Sequence, residues 1–197
     1  RVGRGEVFLN YLLHLHENHQ RKCEVRESKE GMQTQCWADI IHHYPSLVER
    51  IPKHSSGKAP SFVALEWGYD EGHPFEQHCD LFENNKVAFY VCPGTSSWAT
   101  FAGRTKTVIA NCREAGNCVS SRAHGIGMLL TDWGDNGHLQ PEFVSYIGIV
   151  CGAEHSWSAG RERDQHQESE LIKQETIDTT GNINANTNTN ANANANT

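Results

Sequence analysis

The sequence predicts an α/β fold, and three observations support this prediction. Four short apolar stretches recur along residues 1–157, and each is followed by a segment with helical hydrophobic spacing. These stretches are continuously apolar rather than alternating, as expected of strands that are covered on both faces. Strands that alternate with helices pair into a parallel sheet with the helices outside it. We therefore predict four β–α units in one domain.

The chain begins with an amphipathic helix, and the first two β–α units follow it. The helix is predicted over Gly5–Glu17, where Val7, Phe8, Tyr11, Leu12 and Leu15 share one apolar stripe. Strands are predicted over Gln33–Ile40 and Ser61–Trp67. Helices are predicted over Tyr44–Ile51 and His73–Asn84, each with a proline near its start.

The last two units follow the same order. A strand over Lys86–Cys92 ends at a Pro-Gly pair, and a helix then carries apolar residues over Trp98–Cys112 and closes at Gly116. The fourth strand is the apolar run Ile126–Leu130, and a final helix covers Pro141–Trp157. The side of this helix that we expect to face inward carries Phe143, Tyr146, Ile147, Val150 and Cys151.

Residues 158–197 differ from the rest in composition. They are polar, and Gly181–Thr197 repeats asparagine at every second position over most of its length. Such a segment cannot bury an apolar core, so we predict a disordered tail. The predicted organisation is a domain over residues 1–157 and a tail over residues 158–197.

Composition excludes some classes of partner. The formal net charge is −7, which argues against nucleic acid and anionic membrane surfaces. No apolar run approaches the roughly 20 residues of a membrane-spanning helix, so we expect no membrane partner. The seven cysteines are odd in number and lack CxxC spacing. The sequence also contains no Asn-x-Ser/Thr sequon. This pattern favours free thiols and an intracellular setting.

The unusual residues of the chain fall at the predicted strand ends. They form four groups, Trp37 with Asp39, Trp67 with Tyr69, Tyr90 with Trp98, and Trp133 with Asp135. In α/β barrels the carboxyl ends of the strands carry the active site. An indole can stack on the C–H face of a sugar, and a carboxylate can accept hydrogen bonds from its hydroxyls. We therefore predict a carbohydrate pocket; the alternative is core tryptophans beside turn-forming Asp and Asn.

The residue types near the strand ends would also suit two other kinds of site. Asp39, Glu66 and Asp132 could act as acids by residue type, although strand alternation turns Glu66 away from Trp67. A metal-dependent hydrolase would need ligands that converge at the strand ends. The histidines nearest to those ends are His42, His43, His73 and His138, but no His-x-His pair occurs on a strand. We predict no metal and no cofactor.

The segments WADI, LEWGYD, FYVCPGTSSW and LLTDWGDNGH, in this order, resemble the C-terminal half of the catalytic barrel of glycoside hydrolase family 20, the β-N-acetylhexosaminidases. The resemblance covers Gly3–Trp157. It implies that the four units are the C-terminal half of a (β/α)8 TIM barrel, with Trp37, Trp67 and Trp133 walling the pocket. It also implies that Tyr90 bonds the substrate acetamido oxygen, and that Asp135 stands where the family often has Glu.

The resemblance further implies a reaction, the substrate-assisted retaining hydrolysis of a terminal N-acetylhexosamine from a glycan or glycoconjugate. The family's catalytic Asp-Glu pair would precede Arg1, so we expect this chain to be a fragment that is inactive alone. The alternative is a non-catalytic, carbohydrate-binding pseudoenzyme. Because half a barrel has open sheet edges, we also expect self-association.

Overall fold

Four parallel strands form one sheet, and their order across the sheet is their order along the chain. The computed structural model describes residues 3–25, 33–55, 59–137 and 139–159. The strands are β1 (Thr34–Trp37), β2 (Phe62–Trp67), β3 (Ala88–Cys92) and β4 (Gly125–Met128). Because each strand pairs with the next in parallel, their carboxyl ends lie along a single edge of the sheet.

Helices connect and flank the strands, so the α/β class is confirmed. The helices are α1 (Arg4–Val25), α2 (Asp39–His43), α3 (Phe75–Asn84), α4 (Thr105–Ser120) and α5 (Phe143–Ser158). Short 3-10 turns lie at Pro45–Arg50, Ser97–Ala99 and Asp135–Gly137. Among the described helices, none combines the length and the apolar character that crossing a bilayer requires.

The two faces of the sheet carry cores of different size. One face packs on the helices through a large apolar cluster that includes Phe62, Phe82 and Phe89. The other face carries a smaller cluster, in which Val63, Leu65, Ala88 and Cys92 pack with Tyr90 and Ile126. Alternation along β2 and β3 therefore sends successive side chains to opposite sides of the sheet.

Several predicted elements have different bounds in the structure. Helix α1 extends to Val25, well beyond the predicted end at Glu17. The segment Tyr44–Ile51 holds a 3-10 turn rather than an α-helix, and α2 precedes it.

The helix predicted to begin near Trp98 begins instead at Thr105. Trp98 lies in a 3-10 turn, and the backbone after this turn becomes extended at Thr100. The prediction that Gly116 closes the helix is wrong, because Gly116 lies inside α4. A Cβ atom there would lie 2.8 Å from the backbone oxygen of His155, so this glycine permits the close approach of α5.

The predicted inward face of the last helix is wrong, and the apolar stripe predicted for the first helix is only partly buried. In α1, Leu9 is buried and Leu12 packs against the large core, whereas Val7, Phe8 and Tyr11 are exposed. In α5 the buried residues are Val144, Ser145, Gly148 and Gly152. The larger apolar side chains of α5 are exposed, among them Phe143, Tyr146, Ile147 and Val150. Small residues let α5 approach α4 and the loop after β3 closely, and this packing turns the large side chains outward.

The chain divides into two units, Arg1–Ala159 and Gly160–Thr197. The first unit contains every element given above. The second unit lies outside the described residues. The tail was predicted to begin at Ser158, but Ser158 ends α5 and Ala159 follows it. The rest of the predicted disordered tail lies outside the described residues.

Candidate functional site

A cavity of about 350 Å³ lies at the carboxyl ends of the strands. The sequence predicted seven substrate-binding residues, and the structure brings all of them to the lining of this cavity. They are Trp37, Asp39, Trp67, Tyr69, Trp98, Trp133 and Asp135. The residues come from the ends of all four strands and from the turns beyond them, because a parallel sheet gathers these ends at one edge. We call this space the aromatic cavity.

Two indoles from opposite edges of the sheet meet in the wall of the aromatic cavity. Trp37 ends the edge strand β1 and Trp133 follows the opposite edge strand β4, yet their ring centroids are only 5.6 Å apart. In a flat sheet the two edge strands would be separated by three spacings, about 14 Å at ~4.8 Å each. The two long side chains, together with the loop that carries Trp133 five residues beyond β4, bridge this separation.

Three further aromatic rings form the opposite part of the wall. Trp67 stacks on Tyr69 at a centroid distance of 5.3 Å, and Tyr69 meets Trp98 edge to face at 5.0 Å. Gly94 makes this packing possible, since a Cβ atom there would lie 2.5 Å from the Trp98 ring and 2.7 Å from the Tyr69 ring.

Hydrogen bonds orient the indoles by their edges. Trp133 Nε1 donates to the Tyr69 hydroxyl at 2.8 Å, and Trp67 Nε1 donates to Asp39 Oδ1 at 3.3 Å. Trp37, Trp67 and Trp133 nonetheless remain 37%, 38% and 37% exposed, so a ligand can reach much of each ring. Burial raises the pKa of Tyr69, which keeps this phenol neutral as a hydrogen-bonding group of the wall.

A hydroxyl network supports the loop beneath Trp133. Asp132 Oδ1 accepts hydrogen bonds from Thr95 Oγ1 at 2.5 Å and from Ser97 Oγ at 2.6 Å. Both hydroxyl residues are buried. These hydrogen bonds join the turn after β3 to the turn after β4. The Asp132 carboxylate therefore serves to hold the two turns together.

The three acids singled out in the sequence have different surroundings. Asp39 is exposed and lines the aromatic cavity, whereas Asp132 is held by the two hydroxyls. Glu66 is 2% exposed and lies on the side of β2 opposite to Trp67, as strand alternation predicts. The described carboxylates that line the aromatic cavity are those of Asp39 and Asp135.

Tyr90 is not among the residues that line the aromatic cavity. It lies two residues before the end of β3, opposite Leu65 of β2, and packs with the smaller apolar core. Two residues of strand correspond to about 6.6 Å, which sets this ring below the rim formed by the tryptophans.

Several histidines form an arrangement that the sequence does not predict. His42 of α2, His73 of the loop after β2, and His78 of α3 all bond to the carboxylate of Glu66. The sequence places His42 and His73 singly near strand ends, and it gives no reason to group His78 with them. Their convergence depends on how α2 and α3 pack beside β2, which no local spacing reveals. His43 is exposed and bonds the backbone oxygen of Asp39, and His138 lies outside the described residues.

Comparisons of this chain with protein-family models, with curated proteins and with solved structures find no match.

Proposed function

We propose that this chain is the sugar-binding half of a glycoside hydrolase of the exo-β-N-acetylhexosaminidase type. The complete enzyme would remove a terminal N-acetylhexosamine from a glycan or glycoconjugate by substrate-assisted retaining hydrolysis. The observation that carries this proposal is the aromatic cavity, where four tryptophans and two carboxylates meet at the carboxyl ends of parallel strands.

The composition of the cavity suits one sugar ring. A pyranose has an apolar C–H face that stacks on an indole, and equatorial hydroxyls that donate hydrogen bonds to carboxylates. The cavity offers both, because Trp37 and Trp133 form one wall, and Asp39 and Asp135 supply acceptor oxygens. A volume of about 350 Å³ is at the lower end of the range for small-molecule sites.

The parallel sheet also supports the barrel part of the proposal. Four strands with helices on one face are half of the eight β–α units that a TIM barrel contains. In the proposed enzyme the missing half supplies the acid-bearing strand, whose Asp-Glu pair orients the acetamido group and protonates the leaving oxygen. This chain would then bind sugar without cleaving the glycosidic bond.

The surroundings of the acids favour a second candidate function, a carbohydrate-binding protein without catalysis. Asp132 is engaged by Thr95 and Ser97, and Glu66 lies on the other side of β2 from Trp67. Asp39 is already an acceptor for the Trp67 indole. The wall would then serve for recognition alone.

Titration of the chain with methyl β-N-acetylglucosaminide, monitored by isothermal calorimetry and by saturation-transfer NMR, tests sugar binding. We expect saturable binding that Trp133→Ala weakens by up to about tenfold, since an aromatic contact is worth about 0.5–1.5 kcal/mol. Trp157→Ala is the matched control, because this indole lies on α5 and does not line the aromatic cavity. Absence of binding, or equal losses in the two variants, would overturn the proposal.

A second measurement separates the two candidate functions. The protein encoded by the complete reading frame that includes this chain is incubated with a chromogenic β-N-acetylglucosaminide. Release of the chromophore supports the hydrolase, whereas sugar binding without release supports the binding protein.

A further inference from the structure

A second cavity adjoins the aromatic cavity behind Trp67. Its volume is about 230 Å³. Four of its lining residues form one polar cluster: His42, Glu66, His73 and His78. We call them the histidine cluster. None of the four lines the aromatic cavity, although the two cavities share Asp39 and Trp67.

The three imidazoles of the histidine cluster converge on one carboxylate. His42 Nε2 lies 2.5 Å from Glu66 Oε2, while His78 Nδ1 and His73 Nε2 lie 2.7 and 3.1 Å from Glu66 Oε1. The rings are also close to one another, with centroids 4.2 Å apart for His42 and His78 and 5.2 Å apart for His73 and His78. Three secondary-structure elements and a loop thus contribute to a single polar centre.

Glu66 needs a compensating positive charge. Its side chain is 2% exposed, and a buried carboxylate without a partner is costly by several kcal/mol. Within the described part of the chain, every ion-pair partner of Glu66 is an imidazole. A divalent cation bound by the same imidazoles would neutralise the carboxylate.

The ligand atoms are arranged as such an ion requires. One ring nitrogen of His42, one ring nitrogen of His78 and one carboxylate oxygen of Glu66 all lie within 4.8 Å of one another. A tetrahedral ion with bonds of about 2.0–2.2 Å holds its ligand atoms about 3.4 Å apart. The present N···O contacts of 2.5 and 2.7 Å would therefore widen by less than about 1 Å as the ion replaces the bridging protons. His42 and His78 have room for this movement, because their side chains are 20% and 32% exposed.

We propose that His42, Glu66 and His78 bind one divalent transition-metal ion of the zinc class. Neutral imidazole and carboxylate are ligands that suit zinc, and three protein ligands leave a fourth position for His73 or for water from the cavity. The ion would join α2, the end of β2 and α3. Because Glu66 precedes Trp67 in β2, it would also stiffen the strand end that carries part of the aromatic wall.

Metal titration of the chelator-treated chain tests this proposal. We expect one Zn²⁺ per chain by calorimetry, and one Co²⁺ per chain with the visible absorption of a four-coordinate site. Zn²⁺ should also raise the Tm, since it binds the folded state. Stoichiometry per chain is independent of oligomeric state. His42→Ala and His78→Ala should each weaken binding by tenfold or more.

His43→Ala is the matched control, because it removes the neighbouring, exposed histidine that bonds the Asp39 backbone rather than Glu66. It should bind Zn²⁺ like the original chain. Glu66→Gln, which alters the third ligand, should also weaken Zn²⁺ binding. If this variant fails to fold, His42→Ala and His78→Ala still decide the test. Absence of stoichiometric binding, or unchanged affinity in His42→Ala and His78→Ala, would overturn the proposal.

Discussion

Glu66 and Trp67 are consecutive residues that serve two different sites. Their side chains leave β2 on opposite faces, so Trp67 enters the aromatic cavity and Glu66 meets the histidines on the helix-covered side. The Trp67 indole bonds Asp39, which lies three residues before His42 in the same helix. A displacement of Trp67 or Asp39 in the aromatic cavity can therefore be transmitted to His42 and Glu66, and the reverse.

Buried thiols give the chain a pH-dependent stability. Burial raises the pKa of Cys36, Cys92 and Cys112 from near 9 to about 12. Their contribution to stability is complete below about pH 9 and is lost as the pH rises toward 12, because only the unfolded chain ionises in that window. Each thiol should lower the free energy of unfolding by up to about 1.4 kcal/mol per pH unit.

Urea denaturation at pH 8, 9, 10 and 11 measures this slope. Cys112→Ala is the informative variant, since Cys112 is fully buried. It should flatten the alkaline slope by the equivalent of one proton while leaving the other thiols in place. An unchanged slope in this variant would show that Cys112 ionises alike in both states.

Residue-level features were predictable only where they depend on local pattern. The strand-end groups, such as Trp133 with Asp135, lie where an apolar run stops, and parallel pairing then gathers them. The position of Tyr90 depends instead on how far it lies from the strand end. The convergence of His42 and His78 on Glu66 depends on tertiary packing between elements far apart in the chain, which no spacing encodes.

At the scale of elements, two glycines of α5 have contrasting surroundings. A Cβ atom on Gly148 would lie 2.6 Å from Thr95 Cβ and 2.8 Å from Thr95 Cα. A Cβ atom on Gly152 would instead meet the end of the flexible Leu130 side chain, at 2.6 and 2.9 Å. The first contact involves backbone that cannot move freely, whereas the second can be relieved by rotation of a side chain.

This contrast predicts different outcomes for two matched substitutions. Gly148→Ala should destabilise the chain by up to about 2.5 kcal/mol, because overpacking costs about 1–3 kcal/mol and removing a helical glycine returns only about 0.5–1 kcal/mol. Gly152→Ala should change stability by much less. Thermal and urea unfolding of both variants provide the measurement, and equal losses would contradict the assigned packing of α5.

The helices show where hydrophobic patterning is misleading. The periodicity of α5 correctly indicates a helix, but the buried side is formed by Gly148 and Gly152 rather than by the bulky stripe. An apolar stripe indicates a helix face that is buried by other residues. It does not specify whether those residues belong to this chain's own sheet or to another protein. Close packing on α4 and on Thr95 requires small residues, so the apolar stripe of α5 remains exposed.

At the scale of the whole molecule, the sheet has two unpaired edges. In the described part of the chain, β1 and β4 each have a neighbour on one side only. Unpaired backbone groups on edge strands are templates for pairing with another chain. The exposed apolar residues of α5 add a second surface of this kind. Both features are surfaces through which the chain can associate with another protein.

We therefore predict that the isolated chain self-associates, driven by edge pairing and by burial of the α5 stripe. Sedimentation velocity across a concentration series should show dimers or larger species. Phe143→Lys with Val150→Lys places two charges on this helix, where the original side chains are 66% and 67% exposed, and should shift the population toward monomer. Phe101→Lys is the control, because Phe101 is 83% exposed and lies outside the helices. A monomer at all concentrations would contradict self-association, and an equal effect of Phe101→Lys would show that the apolar stripe of α5 does not drive it.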